Sequence, residues 1–307
     1  MSRPSTALAA SKIFAGLGLA FMVSTPATAA DSILADRARA VLLRALREET
    51  GWIRVHAAEA LVAVGETREA RAVFSGELPQ IEASPFRIGA WRVLAATALT
   101  AAERTAWIEK TQAVFLLPAA PDRLQSIESL AKLGVVVAGP VLDKSRSLAT
   151  TAPEAEQPLG LWALHLAGDR TALDRAAALL GSTDAVARLR AAYLLRRLRP
   201  DSAAIRTRLG AALATEPADS IARPFLLSAA LSLAADPVGL PVWRAEAREL
   251  LARSANAGAI YELCQTLMEQ DAPAEAARFT PLLDHAGADA RIGGAWAILR
   301  LLAPTRR

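Results

Sequence analysis

The residue types most often used in catalysis and metal binding are scattered along this sequence rather than clustered. The three histidines are His56, His165 and His285, and the single cysteine is Cys264. A zinc-binding helix needs two ligands at positions i and i+4 and a third ligand nearby, and no histidine here has that spacing. The sequence also contains no G-x-S-x-G elbow, no Walker loop and no dinucleotide-binding glycine fingerprint. We therefore predict no catalytic residue, no metal site and no cofactor.

One set of residues able to contact a ligand does recur at a regular interval. Glu59, Arg92 and Glu128 are charged, and aromatic residues follow them at a similar spacing. Charged groups can hold polar ligands, and aromatic faces can stack on sugar rings or anchor peptide side chains. We interpret the whole row as a candidate ligand-binding surface, with the alternative that the rings only fill gaps between neighbouring structural repeats. The aromatic members of this row are Trp162, Tyr193, Tyr261 and Trp296.

The row belongs to an internal repeat of about 34 residues. The segment from Arg54 reads RVHAAEALVAVG, that from Arg123 reads RLQSIESLAKLG, and that from Arg188 reads RLRAAYLLRRLR. Most of the residues one, four, seven and eight positions after the starts are apolar, and these positions form one face of a helix. The candidate ligand-binding residues stand five positions after the starts, at the flank of that face. The eight repeat starts are Arg54, Arg87, Arg123, Gln157, Arg188, Pro224, Asn256 and Arg291.

A second amphipathic segment accompanies each repeat helix and predicts two-helix units. Thr100 followed by Glu103 forms a capping box, and Gly65 and Gly134 stand where two repeat helices should end. No alternating pattern of useful length predicts a strand. We therefore predict an all-α protein, a right-handed α-solenoid of about eight two-helix repeats that stack into one continuous core. The second segments span residues 36–46, 68–74, 103–116, 141–148, 172–180, 205–213, 243–251 and 274–283.

The string RVHAAEALVAVG at Arg54 resembles the second helix of the short HEAT-like repeat known from phycobilisome-lyase-type proteins. The run DAVARLRAAYLLRRL from Asp184 is similar to the same pattern, and the resemblance extends over most of the chain. It implies a HEAT-like fold, as in exported bacterial proteins of unassigned role. It implies no bilin chemistry, because such repeats determine the fold and not the activity.

The arginines at the repeat starts could form an anion-binding ladder. In HEAT-like stacks such arginines commonly pair with acidic residues of the adjacent turn, and the resemblance implies the same structural role here. The acidic residues close enough upstream to take part are Asp122, Asp184 and Asp289.

Residues 1–29 are predicted to be a signal peptide. Eleven uncharged, mostly apolar residues at 13–23 follow two basic residues, and the Ala-Thr-Ala triplet at 27–29 fits signal peptidase. A membrane-spanning helix needs roughly 20 residues, so this run is too short to span. Cleavage after residue 29 or 30 would release residues 30–307 into the periplasm or the medium. Cys264 is far from that point, which argues against a lipoprotein, and a retained anchor is the alternative.

The charge balance bears on the class of partner. The chain has 35 basic and 31 acidic residues, without the concentrated basic stripe that is usual in nucleic-acid binders. We predict a non-catalytic periplasmic interaction scaffold that binds a protein, a peptide or an envelope glycan along its concave face. We expect no nucleic-acid partner and no stable membrane insertion after cleavage of the signal peptide. The alternative is a helical-toroid enzyme that acts on a polysaccharide.

Overall fold

The computed structural model describes residues 29–303, which form sixteen α-helices and two 3-10 segments and no strand. The predicted all-α class is therefore confirmed. The predicted signal peptide lies outside the described residues except for Ala29. No helix within residues 29–303 is both long and apolar enough to cross a membrane.

The helices alternate between an inner and an outer layer. The 3-10 segments are Leu179–Gly181 and Pro273–Asp284, and both belong to the outer layer. In chain order the α-helices are α1 (Ala29–Glu48), α2 (Gly51–Ala63), α3 (Thr67–Gly76), α4 (Leu78–Glu82), α5 (Arg87–Ala96), α6 (Ala101–Leu116), α7 (Arg123–Lys132), α8 (Gly139–Thr151), α9 (Gln157–Leu166), α10 (Ala172–Ala178), α11 (Ala185–Leu198), α12 (Ala203–Thr215), α13 (Arg223–Ser232), α14 (Leu240–Arg253), α15 (Ala257–Gln270) and α16 (Ala288–Leu302).

The inner layer consists of the eight helices at the repeat starts. Each of them packs against the next one in the order α2, α5, α7, α9, α11, α13, α15 and α16. The residues seven positions after each start are buried in every one of these helices, as the apolar stripe predicts. Burial of a leucine side chain contributes roughly 2 kcal/mol, so this column is a main source of stability. The column consists of Leu61, Leu94, Leu130, Leu164, Leu195, Leu231, Leu263 and Ile298.

The inner layer closes on itself. Helix α16 packs against α15 on one side and against α1 and α2 on the other. Arg291 Nη2 donates to Glu49 Oε1 at 2.9 Å across this junction, and Arg37 pairs there with Asp284. Since α16 contacts α2, the inner helices form a closed ring around a central space. The preferred prediction was a concave face, and only the alternative of a helical toroid included such a closure.

The helix ends follow the local signals in the sequence. Thr100 Oγ1 accepts a hydrogen bond from the Glu103 N–H at 3.1 Å and begins α6. Gly65 and Gly134 adopt φ values of 91° and 68° just after α2 and α7, a left-handed conformation that glycine reaches without a steric penalty. The segment predicted as the last amphipathic partner, residues 274–283, is instead a 3-10 segment. Pro281 lies inside it and cannot donate the N–H that an α-helix requires.

The repeat-start arginines connect neighbouring repeats. Arg87 Nε donates to Asp122 Oδ2 at 2.7 Å, and Arg188 Nε donates to Glu216 Oε2 at 2.7 Å. Asp122 and Glu216 are buried, so water screens these pairs less than it screens exposed pairs. The other pairs of this kind are Arg54–Glu77, Arg123–Glu156 and Arg291–Glu49. Arg223, one residue before the start at Pro224, pairs with Glu246 in the same way.

Two of the three acidic residues suggested for this ladder have other roles. Asp184 accepts a hydrogen bond from the Val186 N–H at 2.8 Å and caps the start of α11. Asp289 Oδ1 lies 2.8 Å from His56 Nδ1 at the junction where the ring closes. The arginines instead take their partners from the neighbouring repeat, because stacking brings the end of one unit beside the start of another.

Candidate functional site

A cavity of about 600 Å³ lies at the centre of the ring, and all eight inner helices contribute to its wall. Six of the seven predicted ligand-binding residues line it. The seventh, Glu128, is not part of the wall, although its ion-pair partner Lys132 is. The residues of the row that line the cavity are Glu59, Arg92, Trp162, Tyr193, Tyr261 and Trp296.

A second column of wall residues was missed in the sequence. Lys132, Arg197 and Gln265 stand nine positions after their repeat starts and line the same cavity. Residues four apart on a helix lie one above the other on the same face, so each of these residues is one turn beyond a member of the predicted row. That i to i+4 spacing was the available signal. The predicted surface contained only the residues five positions after the repeat starts.

One half of the wall, which we call the charged half, is formed by His56, Glu59, Arg92 and Lys132. Arg92 Nε donates to Glu59 Oε1 at 2.5 Å, and its Nη1 donates to Ser129 Oγ at 2.6 Å. Lys132 Nζ lies 2.8 Å from Glu128 Oε1. The acidic and basic members of the charged half are thus matched by partners on the same or neighbouring inner helices.

This pairing determines the protonation of Glu59. Burial by itself would raise the pKa of the Glu59 carboxyl, but the positive charges of Arg92 and Lys132 outweigh burial and lower that pKa to about 2. The Glu128 carboxyl behaves in the same way, since Lys132 and Arg92 lower its pKa against the effect of burial. Both carboxylates are therefore ionised at neutral pH and unsuited to act as general acids.

The opposite half of the wall, which we call the aromatic half, is formed by Trp162, Leu166, Tyr193, Leu198 and Phe225. Tyr193 meets Trp162 edge-on at a centroid distance of 5.9 Å and meets Phe225 at 6.4 Å. Trp162 is only 4% exposed. Edge-to-face pairs of this kind contribute about 0.5–1.5 kcal/mol beyond the burial of area, so the aromatic half is a rigid apolar surface.

Arg197 lies at the edge of the aromatic half. Its guanidinium sits 5.0 Å over the Tyr193 ring, and its Nη2 donates to Gln265 Oε1 at 2.9 Å. The side chain is exposed although α11 belongs to the inner layer, so we assign this exposure to the central space. No carboxylate of residues 29–303 lies within 4.0 Å of it. Arg197 is thus a cation of the cavity wall that no carboxylate of the described residues contacts, although the charges of Glu262 and Glu59 act on it from a greater distance.

The neighbouring Arg196 has the opposite environment. It is 2% exposed, and its Nε donates to Thr266 Oγ1 at 2.9 Å and lies 3.2 Å from Glu262 Oε1. Thr266 Oγ1 in turn donates to Ser228 Oγ at 2.8 Å. This buried network connects α11, α13 and α15, and it fixes the part of α11 from which Arg197 projects.

His56 forms a hydrogen-bonded pair with Asp289 where the ring closes. Its Nδ1 lies 2.8 Å from Asp289 Oδ1, and its ring stacks on Tyr261 at a centroid distance of 4.8 Å. Tyr261 also contacts Trp296 at 5.8 Å. Burial and the charge of Glu59 raise the pKa of the Tyr261 hydroxyl well above its ordinary value, so this tyrosine is neutral.

Comparison of the chain with protein-family models, with curated proteins and with solved structures gave no match.

The arrangement is suited to binding an organic ligand. Its volume lies within the range of about 300–1,000 Å³ that is usual for ligand pockets, and it combines apolar walls with a few oriented polar groups. No group of three or more candidate metal ligands occurs among residues 29–303. Cys264 is fully buried, and burial raises the pKa of its thiol well above the usual range, which makes it unreactive.

Proposed function

We propose that this protein is a non-catalytic HEAT-like repeat protein that binds a short peptide, or the end of a partner protein, in its central cavity. In this proposal about eight two-helix repeats wind with a right-handed sense, and the concave face of the solenoid is the inner wall of the ring. The observation that carries the proposal is the convergence of residues from all eight inner helices on one cavity.

The state of the aromatic rings favours a peptide over an envelope glycan. A sugar ring stacks on an open aromatic face. Here the Tyr261 ring is stacked on His56, and Lys132 and Arg197 lie over the Tyr193 ring. Trp162 is almost completely buried. The aromatic half therefore offers apolar walls for side chains rather than free ring faces.

A cavity-filling variant tests the proposal. Ala96 is exposed and lines the cavity from the end of α5, so Ala96→Trp should fill the space and leave the fold intact. We expect this variant to retain at least tenfold less of a randomised tetrapeptide library on the immobilised protein than the unaltered chain does. Ala113→Trp, at an exposed position on the outer helix α6, is the matched control. Equal retention by both variants would place the binding elsewhere.

We also propose that residues 1–29 are a signal peptide and that the mature protein is periplasmic or secreted. The predicted cleavage point coincides with the first residues of α1, Ala29 and Ala30. N-terminal mass spectrometry of protein from the native host should give a chain that begins at Ala30 or Asp31. A chain that keeps Met1 and sediments with membranes would overturn this proposal.

A second candidate function, an enzyme acting on a polysaccharide, is favoured by the His56–Asp289 pair. A carboxylate at Nδ1 holds an imidazole in the tautomer whose Nε2 can accept a proton. His56 lines the cavity, and its Nε2 could deprotonate a water molecule there. Turnover of envelope or algal glycans that is lost in His56→Gln and kept in His165→Gln would replace the binding proposal with this one.

A further inference from the structure

Among the charged residues of the cavity wall described above, Arg197 differs from the others because no residue of opposite charge within residues 29–303 contacts it. Glu59 with Arg92 and Glu128 with Lys132 form neutral pairs. Arg197 donates to the carbonyl oxygen of Gln265 and lies over the face of Tyr193, and no carboxylate of the described residues is in contact with it. Glu262 and Glu59 act on its charge only from a greater distance. A guanidinium carries five N–H donors and stays charged at every physiological pH. Most of its donors are therefore free to face the cavity.

The guanidinium is also held in position before any ligand arrives. Stacking on Tyr193 and donation to Gln265 restrain two ends of the group. Arg196 fixes the helix one residue earlier through its buried contacts with Thr266 and Glu262. Pre-organisation of this kind increases affinity because less side-chain entropy is lost on binding.

We propose that Arg197, which the buried Gln265 holds in position, recognises the C-terminal carboxylate of the bound peptide. This inference rests on the peptide-binding function proposed above and names the group that the cavity selects. A guanidinium and a carboxylate match as planar groups that form two parallel hydrogen bonds. A doubly charged phosphate fits less well, because Arg197 is the one cation of the wall without a contacting carboxylate among residues 29–303, and the acidic Glu59 and Glu262 also line the cavity.

The closed ring favours a chain end over an internal segment. An internal segment would have to pass through the ring or fold back on itself, whereas a terminus can enter the central cavity directly. The carboxylate of the last residue is attached to the same Cα as its side chain. With the carboxylate at Arg197, that side chain lies next to the apolar surface of Trp162, Leu166 and Phe225. We therefore expect an apolar residue at the C-terminus of the ligand.

Two versions of one peptide library test this inference. A randomised tetrapeptide library is synthesised once with free carboxyl termini and once as carboxamides, and retained sequences are identified by mass spectrometry. For the retained sequences we expect the Kd of the free acid to be at least about tenfold lower than that of the carboxamide, as is usual for a hydrogen bond to a charged group. Arg197→Gln should abolish this preference. Arg170→Gln, which removes an exposed arginine outside the cavity, should keep it.

The possible outcomes separate the inference from the proposed function. Equal binding of acid and carboxamide would overturn the role of Arg197 while leaving peptide binding intact. A preference for the free acid that survives in Arg197→Gln would also overturn the role of Arg197. Carboxamides that bind as tightly as the acids through an internal Asp or Glu side chain would overturn it as well. Retention of neither library would overturn both proposals. Binding of a uronic-acid oligosaccharide that depends on Arg197, without peptide binding, would replace the peptide by an acidic sugar.

Discussion

The charged half and the aromatic half of the cavity wall both contain basic residues, but in different environments. Two of these residues, Lys132 and Arg197, even stand at the same distance from their repeat starts. In the charged half, Arg92 and Lys132 each lie within hydrogen-bonding distance of a carboxylate from an inner helix. In the aromatic half, Arg197 lies over a tyrosine ring and has no such carboxylate among residues 29–303. Position in the repeat therefore brings a side chain to the wall, and its partner decides whether it stabilises the ring or is available to a ligand.

The largest expected effect comes from breaking a pair in the charged half. Arg92→Met should destabilise the protein by about 3–5 kcal/mol in chemical denaturation, because it leaves Glu59 with its strongest partner removed. The double variant Glu59→Gln/Arg92→Met serves as the control and should recover most of that loss. If the single variant were as stable as the unaltered protein, the Glu59–Arg92 pair would have no structural role.

A pH series isolates the contribution of the Glu59 carboxyl. Its pKa is lowered to about 2 in the folded protein, below that of an exposed glutamate. The folded state therefore favours the ionised form, and the resulting stability is present above about pH 4.5 and is lost as pH falls towards 2. We expect the unaltered protein to lose up to about 3 kcal/mol more than Glu59→Gln over this interval. If both proteins lost the same free energy of unfolding over this interval, the pKa of Glu59 would be the same in the folded and the unfolded chain.

The two tryptophans of the wall should differ in accessibility. Trp162 is 4% exposed, whereas Trp296 is half-buried. Trp162→Phe should remove a blue-shifted emission component that acrylamide quenches weakly, and Trp296→Phe should remove a component that is quenched more strongly. The burial of Trp162 between neighbouring inner helices explains why its emission should be quenched only weakly. Strong quenching of the Trp162 component would mean that the aromatic half is open to solvent.

The smallest effect on stability is expected at Arg197. Arg197→Gln should lower the free energy of unfolding by about 1 kcal/mol, because it removes the hydrogen bond to the buried Gln265 Oε1 and the contact with the Tyr193 ring, but no contacting carboxylate among the described residues. Leu195→Ala, two residues away on the same helix, should cost about 2–5 kcal/mol because Leu195 is fully buried. If Arg197→Gln lost as much stability as Arg92→Met, Arg197 would be a structural residue like Arg92.

The helices and their buried faces could be predicted from the sequence because they depend on local periodicity. The leucine column, the Thr100 cap and the glycines after α2 and α7 are all visible within a single turn or repeat. The sequence left open whether the array closes, as a toroid does, since closure depends on small rotations accumulated over all the inner helices until α16 meets α1 and α2. For the same reason the sequence identified Tyr261 and Trp296 as neighbours of a surface but did not pair His56 with Asp289.

The candidate site was predicted in part. The position-five row contributes six residues to the cavity wall, but the pairing of Glu59 with Arg92 depends on the separation of adjacent helices, which the sequence does not specify. Lys132, Arg197 and Gln265 could have been found by adding the residue four positions after each member of the row. Their partners could not, because Gln265 reaches Arg197 from α15, two inner helices further along the chain.

The junction of α16 with α1 and α2 also has a consequence for how the molecule unfolds. An open array of repeats can fray from its terminal units, since each end repeat has only one neighbour. In this ring each inner helix packs against an inner helix on both sides, so no repeat is a weak end from which unzipping can begin. We therefore expect a single cooperative transition for the whole ring. A circular permutant that links α16 to α1 and opens the chain between α8 and α9 should keep the same neighbours.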